Sequence, residues 1–469
     1  MQLETIAPFR HSPENTASIP ARIRGELPAW LRGEVLRTCP VLFEKNGWHA
    51  QHWFDGLGMI YAFRIGDAAV DFRSRMLDSE TARDAALGKA DLASFGTPTK
   101  RSLWQRIARP APRAGDNANV NIARWGDQLV AMTESNRQHV IDPETLASAG
   151  ITDQPQDALA GAILMAHPHF DAARNCVVNA ALKFGATPAV AIYEYFPATR
   201  RRQVIGTWKT GRVPYIHSFG LTPSSAILIA HPFTANPIRM LFSNKGFIDH
   251  FSWKPREGTR LVVMNRGTGS VSEHLTDAFF AFHVVNAFES DGATVLDLLA
   301  YPDEGIVNAM RVERMAAQLP DLRPSLLRIT MRPGVERAST EKLSDTGFEF
   351  PSTNYKVVHG RPYRFAWGAS NGPLANGTYA SAIVKVDLHM GATMSFEDGT
   401  HIYGEPLFVA RPQGEREDDG VLLSVGSARN AKASVLAVID ARTLALLASA
   451  EVPSAIPLGF HGSFVRGRG

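Results

Sequence analysis

Cysteine is almost missing from this chain. Only Cys39 and Cys176 occur in 469 residues, which excludes a disulfide framework and a cysteine-rich zinc site and fits a reducing compartment. Any metal must then be held by histidine or carboxylate. Long apolar runs are missing too: no stretch of about 18 uninterrupted apolar residues occurs, so a membrane-spanning helix is excluded on length, whereas peripheral contact is not. Met1 to Pro13 has no apolar core of the kind a signal peptide needs and is interrupted by Pro8 and Pro13, so secretion is not expected. Nor is there an excess of charge of one sign. Forty-nine Lys and Arg stand against 46 Asp and Glu, which leaves no broad field for nucleic acid or an acidic substrate. The expectation is a cytoplasmic protein with no nucleic-acid partner and no protein partner indicated, left free to associate peripherally with a membrane.

Convincing helical periods and low-complexity linkers are also scarce. What fills the chain is a long series of short apolar segments separated by turn residues. Strands are expected at Ala68 to Arg75, Gln128 to Thr133, Cys176 to Ala181, Ala189 to Tyr195, Arg260 to Asn265, Phe279 to Ala287, Thr294 to Leu299, Leu326 to Met331, Ile383 to Asp387 and Ser434 to Ile439. A short helix is expected over about Glu80 to Leu92. Pro98 to Pro112, with Lys100, Arg101, Arg106, Arg109 and Arg113, reads as an exposed basic loop. The fold class is therefore all-β, as a single domain over residues 1–469. So many strands must dispose of their edges, and radial closure as a propeller does this better than one sandwich. No sequence repeat of fixed period is visible.

Four histidines sit in similar surroundings. Three lie in Ala166-His167-Pro168, Ile216-His217-Ser218-Phe219-Gly220 and Phe282-His283-Val284-Val285. The fourth is near the end of the chain, in Pro457-Leu458-Gly459-Phe460-His461-Gly462-Ser463-Phe464. Neutral imidazoles without cysteine suit a divalent first-row metal. Zinc would be satisfied by four such ligands and be structural, whereas iron keeps a position open. Metal-bound imidazoles usually donate their second N–H to a carboxylate. Glu134, Glu349 and Glu405, each in an apolar or turn context, are the candidates.

The order of motifs carries a resemblance. It runs from Gly25-Glu26-Leu27-Pro28-Ala29-Trp30-Leu31-Arg32-Gly33 and Phe54-Asp55-Gly56 through Asp116-Asn117-Ala118-Asn119-Val120-Asn121 and Thr133-Glu134-Ser135-Asn136. It continues with Ala166-His167-Pro168-His169, His217-Ser218-Phe219-Gly220, Phe282-His283, Phe348-Glu349-Phe350-Pro351, Gly404-Glu405-Pro406-Leu407-Phe408 and Phe460-His461-Gly462. Nearly end to end, the chain resembles the carotenoid cleavage oxygenases, the family that also contains the retinoid isomerase of the vertebrate eye.

The resemblance implies a seven-bladed β-propeller with a helical and loop cap over the iron-bearing face. It implies one Fe(II) per chain, on His167, His217, His283 and His461, with His169 spare. Glu134, Glu349 and Glu405 would each hold one ligand imidazole, and His167 would be the ligand without such a partner. The implied reaction uses O2 to cleave one carbon–carbon double bond of a carotenoid or apocarotenoid into two carbonyl products. Catalytic residues beyond the iron centre are not expected. Phe54, Phe282 and Phe460 would line the tunnel for the hydrophobic polyene. Glu134-Ser135-Asn136 and Phe95-Gly96-Thr97 resemble the carotenoid-cleaving members more than the stilbene-cleaving branch, which stays as the alternative beside a non-catalytic binding propeller. Because a polyene partitions into bilayers, a membrane-facing rim is expected over residues 236–248, carried by Ile238, Met240, Leu241, Phe242 and Phe247 with Arg239 and Lys245 nearby.

Overall fold

A computed structural model of the chain describes residues 9, 15–152, 157–371, 380–430 and 432–467. Apart from Phe9, the stretch from Met1 to Pro13 that was read for a signal peptide lies outside them. Among the described residues, seven antiparallel sheets of four or more strands follow one another along the chain. They are the blades of a seven-bladed β-propeller. Inner and central strands such as Cys176–Lys183 and Ser225–Ala230 are buried along almost their whole length, because each blade packs on both faces. That is why they read as continuous apolar runs and not as alternating ones. Outer strands such as Ser339–Ser344 and Ala392–Phe396 are largely exposed, the former polar along its whole length but for Leu343.

The ring is closed at both ends of the chain. Gly462–Arg466 pairs with Gly33–Leu42 as the innermost strand of the first blade. Arg22–Gly25 pairs with Leu446–Val452 at the outer edge of the seventh. Each terminal segment thus completes a sheet begun by the other end of the chain, which fastens the ring and pins the terminal strand that follows His461.

Long insertions build a cap. Between Ser225–Ala230 and Thr259–Asn265 of the fourth blade lie part of a small three-stranded sheet and the one-turn helix Pro237–Met240. Between Ala293–Tyr301 and Ser325–Met331 of the fifth lie the helices Gly305–Ala309 and Val312–Ala317.

Two local expectations need correction. The first helix spans only Glu80–Ala86, capped by the Ser79 hydroxyl accepting from the Ala82 N–H. It stops short of Leu92 because Gly88 takes a left-handed conformation, φ +69°, where a Cβ would lie 2.6 Å from the Asn46 carbonyl oxygen. The expected basic loop contains a helix, Leu103–Ala108, opened by a Ser102/Gln105 capping box. Ser-x-x-Gln is a helix-start signature, so this element was legible in the sequence.

Candidate metal centre

Each blade contributes one residue to a single centre on the propeller axis. His167 sits in the break between Ile163–Leu164 and His169–Asp171 of the third blade, His217 just before Phe219–Leu221 of the fourth, and His283 within Phe280–Ser290 of the fifth. His461 immediately precedes Gly462–Arg466 of the first blade. The other three blades supply carboxylates. Glu134 follows Gln128–Met132 of the second, Glu349 opens Glu349–Ser352 of the sixth, and Glu405 lies between His401–Tyr403 and Leu407–Ala410 of the seventh.

The four imidazoles converge, with one ring nitrogen from each within 4.8 Å of all the others. Nε2 of His167 and Nε2 of His217 are 2.9 Å apart, and those of His283 and His461 are 3.1 Å apart. On the far side of three rings, Nδ1 donates to a carboxylate: His217 to Glu134 at 2.6 Å, His283 to Glu349 at 2.6 Å and His461 to Glu405 at 2.8 Å. His167 has no such carboxylate among the described residues. These bonds settle the tautomer of His217, His283 and His461, since a neutral imidazole donating from Nδ1 presents a lone pair at Nε2. The His283 and His461 lone pairs face one another across 3.1 Å and repel unless a cation lies between them, so the donor set fits a metal ion.

Burial reinforces the neutral form. Desolvation and then the neighbouring imidazoles push His167 well below the ordinary imidazole range. Burial brings His461 down to about 4, against the opposing pull of Glu405. Burial alone would raise the Glu405 carboxyl, but His461 and Arg37 outweigh it and hold the group below its ordinary value. Three carboxylates behind four neutral rings leave the centre ready for a divalent cation.

A cavity of about 150 Å³ opens beside these rings. Phe54, Phe282 and Phe460 line it together with His217, His283 and His461. The Phe54 and Phe460 rings meet edge to face at 4.9 Å, and Phe54 lies 6.0 Å from Phe282. Sequence reasoning missed other walls: Tyr215, Phe247 and Phe350 also line the cavity. Phe350 stands beside His283 and His461, each at 5.5 Å, with its backbone at φ +55°, an uncommon conformation for a bulky residue. Phe95 is aimed into the cavity by Asp55, whose carboxylate accepts from the Phe95 and Gly96 N–H groups at 2.7 and 2.8 Å and from the Thr97 hydroxyl at 2.7 Å.

The segment expected to face a membrane divides. Ile238, Leu241 and Phe242 are exposed, at 76%, 42% and 54%. Met240 and Phe247 instead turn inward against the main core, and this corrects the expectation for both. Phe247 is drawn in because its N–H and that of Ile248 bond to the Ser94 and Phe95 carbonyls and its ring packs on Phe251 at 4.9 Å. Beside the exposed trio lies the unexpected helix Leu103–Ala108, with Leu103, Trp104 and Ile107 all exposed. Arg106 and Arg101 stitch the two segments together by donating to the Phe242 and Ser243 carbonyls. Among the described residues no helix is long and apolar enough to cross a membrane.

Comparison with known proteins gives the same picture over the whole chain. The model of the RPE65 family, retinal pigment epithelial membrane protein, matches residues 6–466. The apocarotenoid-15,15'-oxygenase of Synechocystis sp. is 30% identical, over 95% of this chain and 92% of its own. The mitochondrial carotenoid-cleaving dioxygenase of Pongo abelii is 29% identical, over 99% and 95%. Among solved structures, cobalt-substituted Synechocystis ACO superposes with a TM-score of 0.86 at 27% identity, covering 98% of both chains. With a family match over nearly its full length, a 30% identical relative and that superposition, the chain belongs to the RPE65 family of retinal pigment epithelial membrane proteins and carotenoid oxygenases.

Proposed function

We propose that this chain is a non-haem Fe(II) dioxygenase that uses O2 to cleave one carbon–carbon double bond of a carotenoid or apocarotenoid into two carbonyl products. The observation that carries this reading is the convergence of four imidazole ring nitrogens beside an apolar, aromatic-walled cavity. His167, His217, His283 and His461 hold the metal, and Glu134, Glu349 and Glu405 fix three of those rings. When bound, Fe(II) supplies the activation of O2 that an organic side chain cannot provide. The protein's own contribution is positional. Phe54, Phe282 and Phe460 hold a conjugated chain against the imidazoles by dispersion and ring contacts, and the same walls keep water away. No proton transfer by a side chain is needed, so the carboxylates orient and polarise the ligand rings and carry no proton in the reaction.

A membrane supplies the substrate. The exposed Ile238, Leu241 and Phe242, joined to Leu103, Trp104 and Ile107 and flanked by exposed Lys100, Arg109, Arg239 and Lys245, suit an interfacial patch with apolar side chains among the acyl chains and cations at the headgroups. The whole chain acts as one catalytic unit in this reading.

The test is incubation of the iron-loaded protein under air with β-carotene, several apocarotenals and a hydroxylated stilbene, followed by product masses. Two carbonyl fragments from a carotenoid or apocarotenal are expected, and their masses give the scissile bond. Cleavage of the stilbene alone would move the chain to the alternative substrate class. An anaerobically prepared protein that holds no iron and gains no activity with Fe(II) would make it a binding propeller.

A further inference from the structure

His461 differs from the other three histidines in how it is carried. It precedes an innermost strand, Gly462–Arg466, whose one sheet neighbour is Gly33–Leu42. The ladder weakens where the histidine emerges, since the Thr38 N–H reaches the His461 carbonyl only at 3.4 Å. The His461 N–H is held by the Val120 carbonyl at 3.0 Å, so the weak link is the one to the first blade, and loosening it would let the ring shift.

The side chain of Arg37 fills this gap. It lies opposite Gly462 in the register and is 1% exposed. Nη2 donates to the Phe460 carbonyl at 2.9 Å, Nη1 donates to the Glu405 carbonyl at 3.0 Å, and Nη2 faces Glu405 Oε2 at 3.4 Å. Glu405 in turn takes the His461 Nδ1–H on Oε1 and the Gly462 N–H, at 3.1 Å, on Oε2. One guanidinium therefore ties the first blade, the turn bearing Glu405 in the seventh and the residue before His461. Gly462 permits the approach: a Cβ there would lie 2.6 Å from Arg37 Cγ and 2.4 Å from the Leu36 carbonyl oxygen.

A buried guanidinium is costly unless all its partners stay in place. The fork geometry that a lysine lacks is what lets it bond two carbonyls and a carboxylate together. Among the three carboxylates behind the rings, Glu405 is the one with an arginine ion pair among the described residues. Glu349 instead has a buried oxygen without a hydrogen-bond partner.

We infer that Arg37 is a positioning residue for His461, clamping the ligand strand and its carboxylate where the propeller ring closes. This rests on the reading of His461 as a metal ligand. The experiment is Co(II) titration of metal-free protein, read by the visible ligand-field spectrum and by affinity, for wild type, Arg37→Lys, Glu405→Gln and the charge-neutral pair Arg37→Gln with Glu405→Gln. Lys385→Met serves as the control. It removes another buried cation, paired with Asp418 at 2.7 Å, and neither residue lines the cavity beside the histidines. Arg37→Lys is expected to weaken Co(II) binding about 10–100-fold and to alter the spectrum, while Lys385→Met lowers the melting temperature and leaves both unchanged per folded molecule. Should Arg37→Lys fail to fold, the double variant decides: a further several-fold loss beyond Glu405→Gln supports the clamp, and no further loss overturns it. Wild-type affinity and spectrum in Arg37→Lys overturn it as well. If wild type itself takes up no Co(II), or His461→Ala binds it normally, the metal reading falls and the clamp, which rests on it, falls with it; a change in Arg37→Lys alone tests the clamp.

Discussion

His283 donates its Nδ1–H to Oε2 of Glu349 across 2.6 Å, while the other oxygen of that carboxylate, Oε1, is buried with no hydrogen-bond partner among the described residues. An unpaired buried carboxylate oxygen is expensive. Its retention beside a ring of the proposed centre puts the use of this charge in polarising His283.

Glu349→Gln follows from that relationship. The amide keeps an acceptor for Nδ1 but removes the charge, so the ring stays oriented and becomes a poorer donor to the metal. Iron affinity or kcat/KM should fall about 10–100-fold, with the melting temperature of metal-free protein near wild type. An unchanged affinity would show that the carboxylate charge does nothing at the centre.

Replacing a proposed ligand should be more severe. His167→Ala, His217→Ala, His283→Ala and His461→Ala should each abolish iron binding or turnover, whereas His169→Ala, His231→Ala and His274→Ala should leave iron content intact. Each of these three histidines is engaged by main-chain oxygen instead: His169 with the Phe219 carbonyl, His231 with those of Phe279 and Ala281, and His274 with that of Val335. Their loss should cost about 1–3 kcal/mol of stability and no metal. Wild-type turnover by His167→Ala, measured with iron content, would sink the assignment.

The strand runs were legible because burial on both blade faces writes a continuous apolar stretch such as Cys176–Lys183. The four histidines and three glutamates were legible as motifs, and the structure places one of them in each blade. The number of blades was not legible from periodicity. The insertions that build the cap fall inside the fourth and fifth blades, between strands that pair directly, Ser225–Ala230 with Thr259–Asn265 and Ala293–Tyr301 with Ser325–Met331, and they erase any fixed repeat. Arg37 escaped notice for a different reason. It reads as one polar residue in a strand, and its partners are 368 and 423 residues away.

His52 gives a prediction in pH. It is fully buried, its Nε2 donates to the Val307 carbonyl at 2.9 Å, and its Nδ1 accepts from the Phe54 N–H at 3.2 Å. Only the neutral ring can do both. Burial, opposed by the Val307 bond, pushes its pKa down to about 3, whereas the unfolded chain protonates near the ordinary value of about 6.5. The unfolded state then binds the proton first as pH falls, so the stability held above about pH 6.5 is lost progressively toward pH 3. The full effect is on the order of 5 kcal/mol at 1.36 kcal/mol per pKa unit. Melting of chelator-treated protein should show His52→Gln less stable than wild type at pH 7.5 and the gap narrowing by pH 5. Parallel pH profiles for the two proteins would rule this out.

The last prediction concerns arrival of a water-insoluble substrate. Ile238, Leu241 and Phe242 project from one turn, and Trp104, 78% exposed, stands with Leu103 and Ile107 on the adjoining helix. Leaving such a group in water forgoes roughly 25 cal/mol for every Å² of apolar surface that a bilayer would bury, and the exposed Lys100, Arg109, Arg239 and Lys245 around it would meet anionic headgroups. Wild type should therefore co-sediment with vesicles containing anionic lipid, more strongly than with neutral vesicles and less strongly as salt rises. Leu241→Ser with Phe242→Ser should reduce co-sedimentation and slow cleavage of vesicle-borne carotenoid, and adding Trp104→Ser should reduce both further, with melting temperature and iron content near wild type. Cleavage of the same substrate delivered in detergent should be unchanged, because the cavity walls are untouched. If the variants unfold or lose iron while binding vesicles normally per folded molecule, these side chains support the fold and the substrate enters elsewhere.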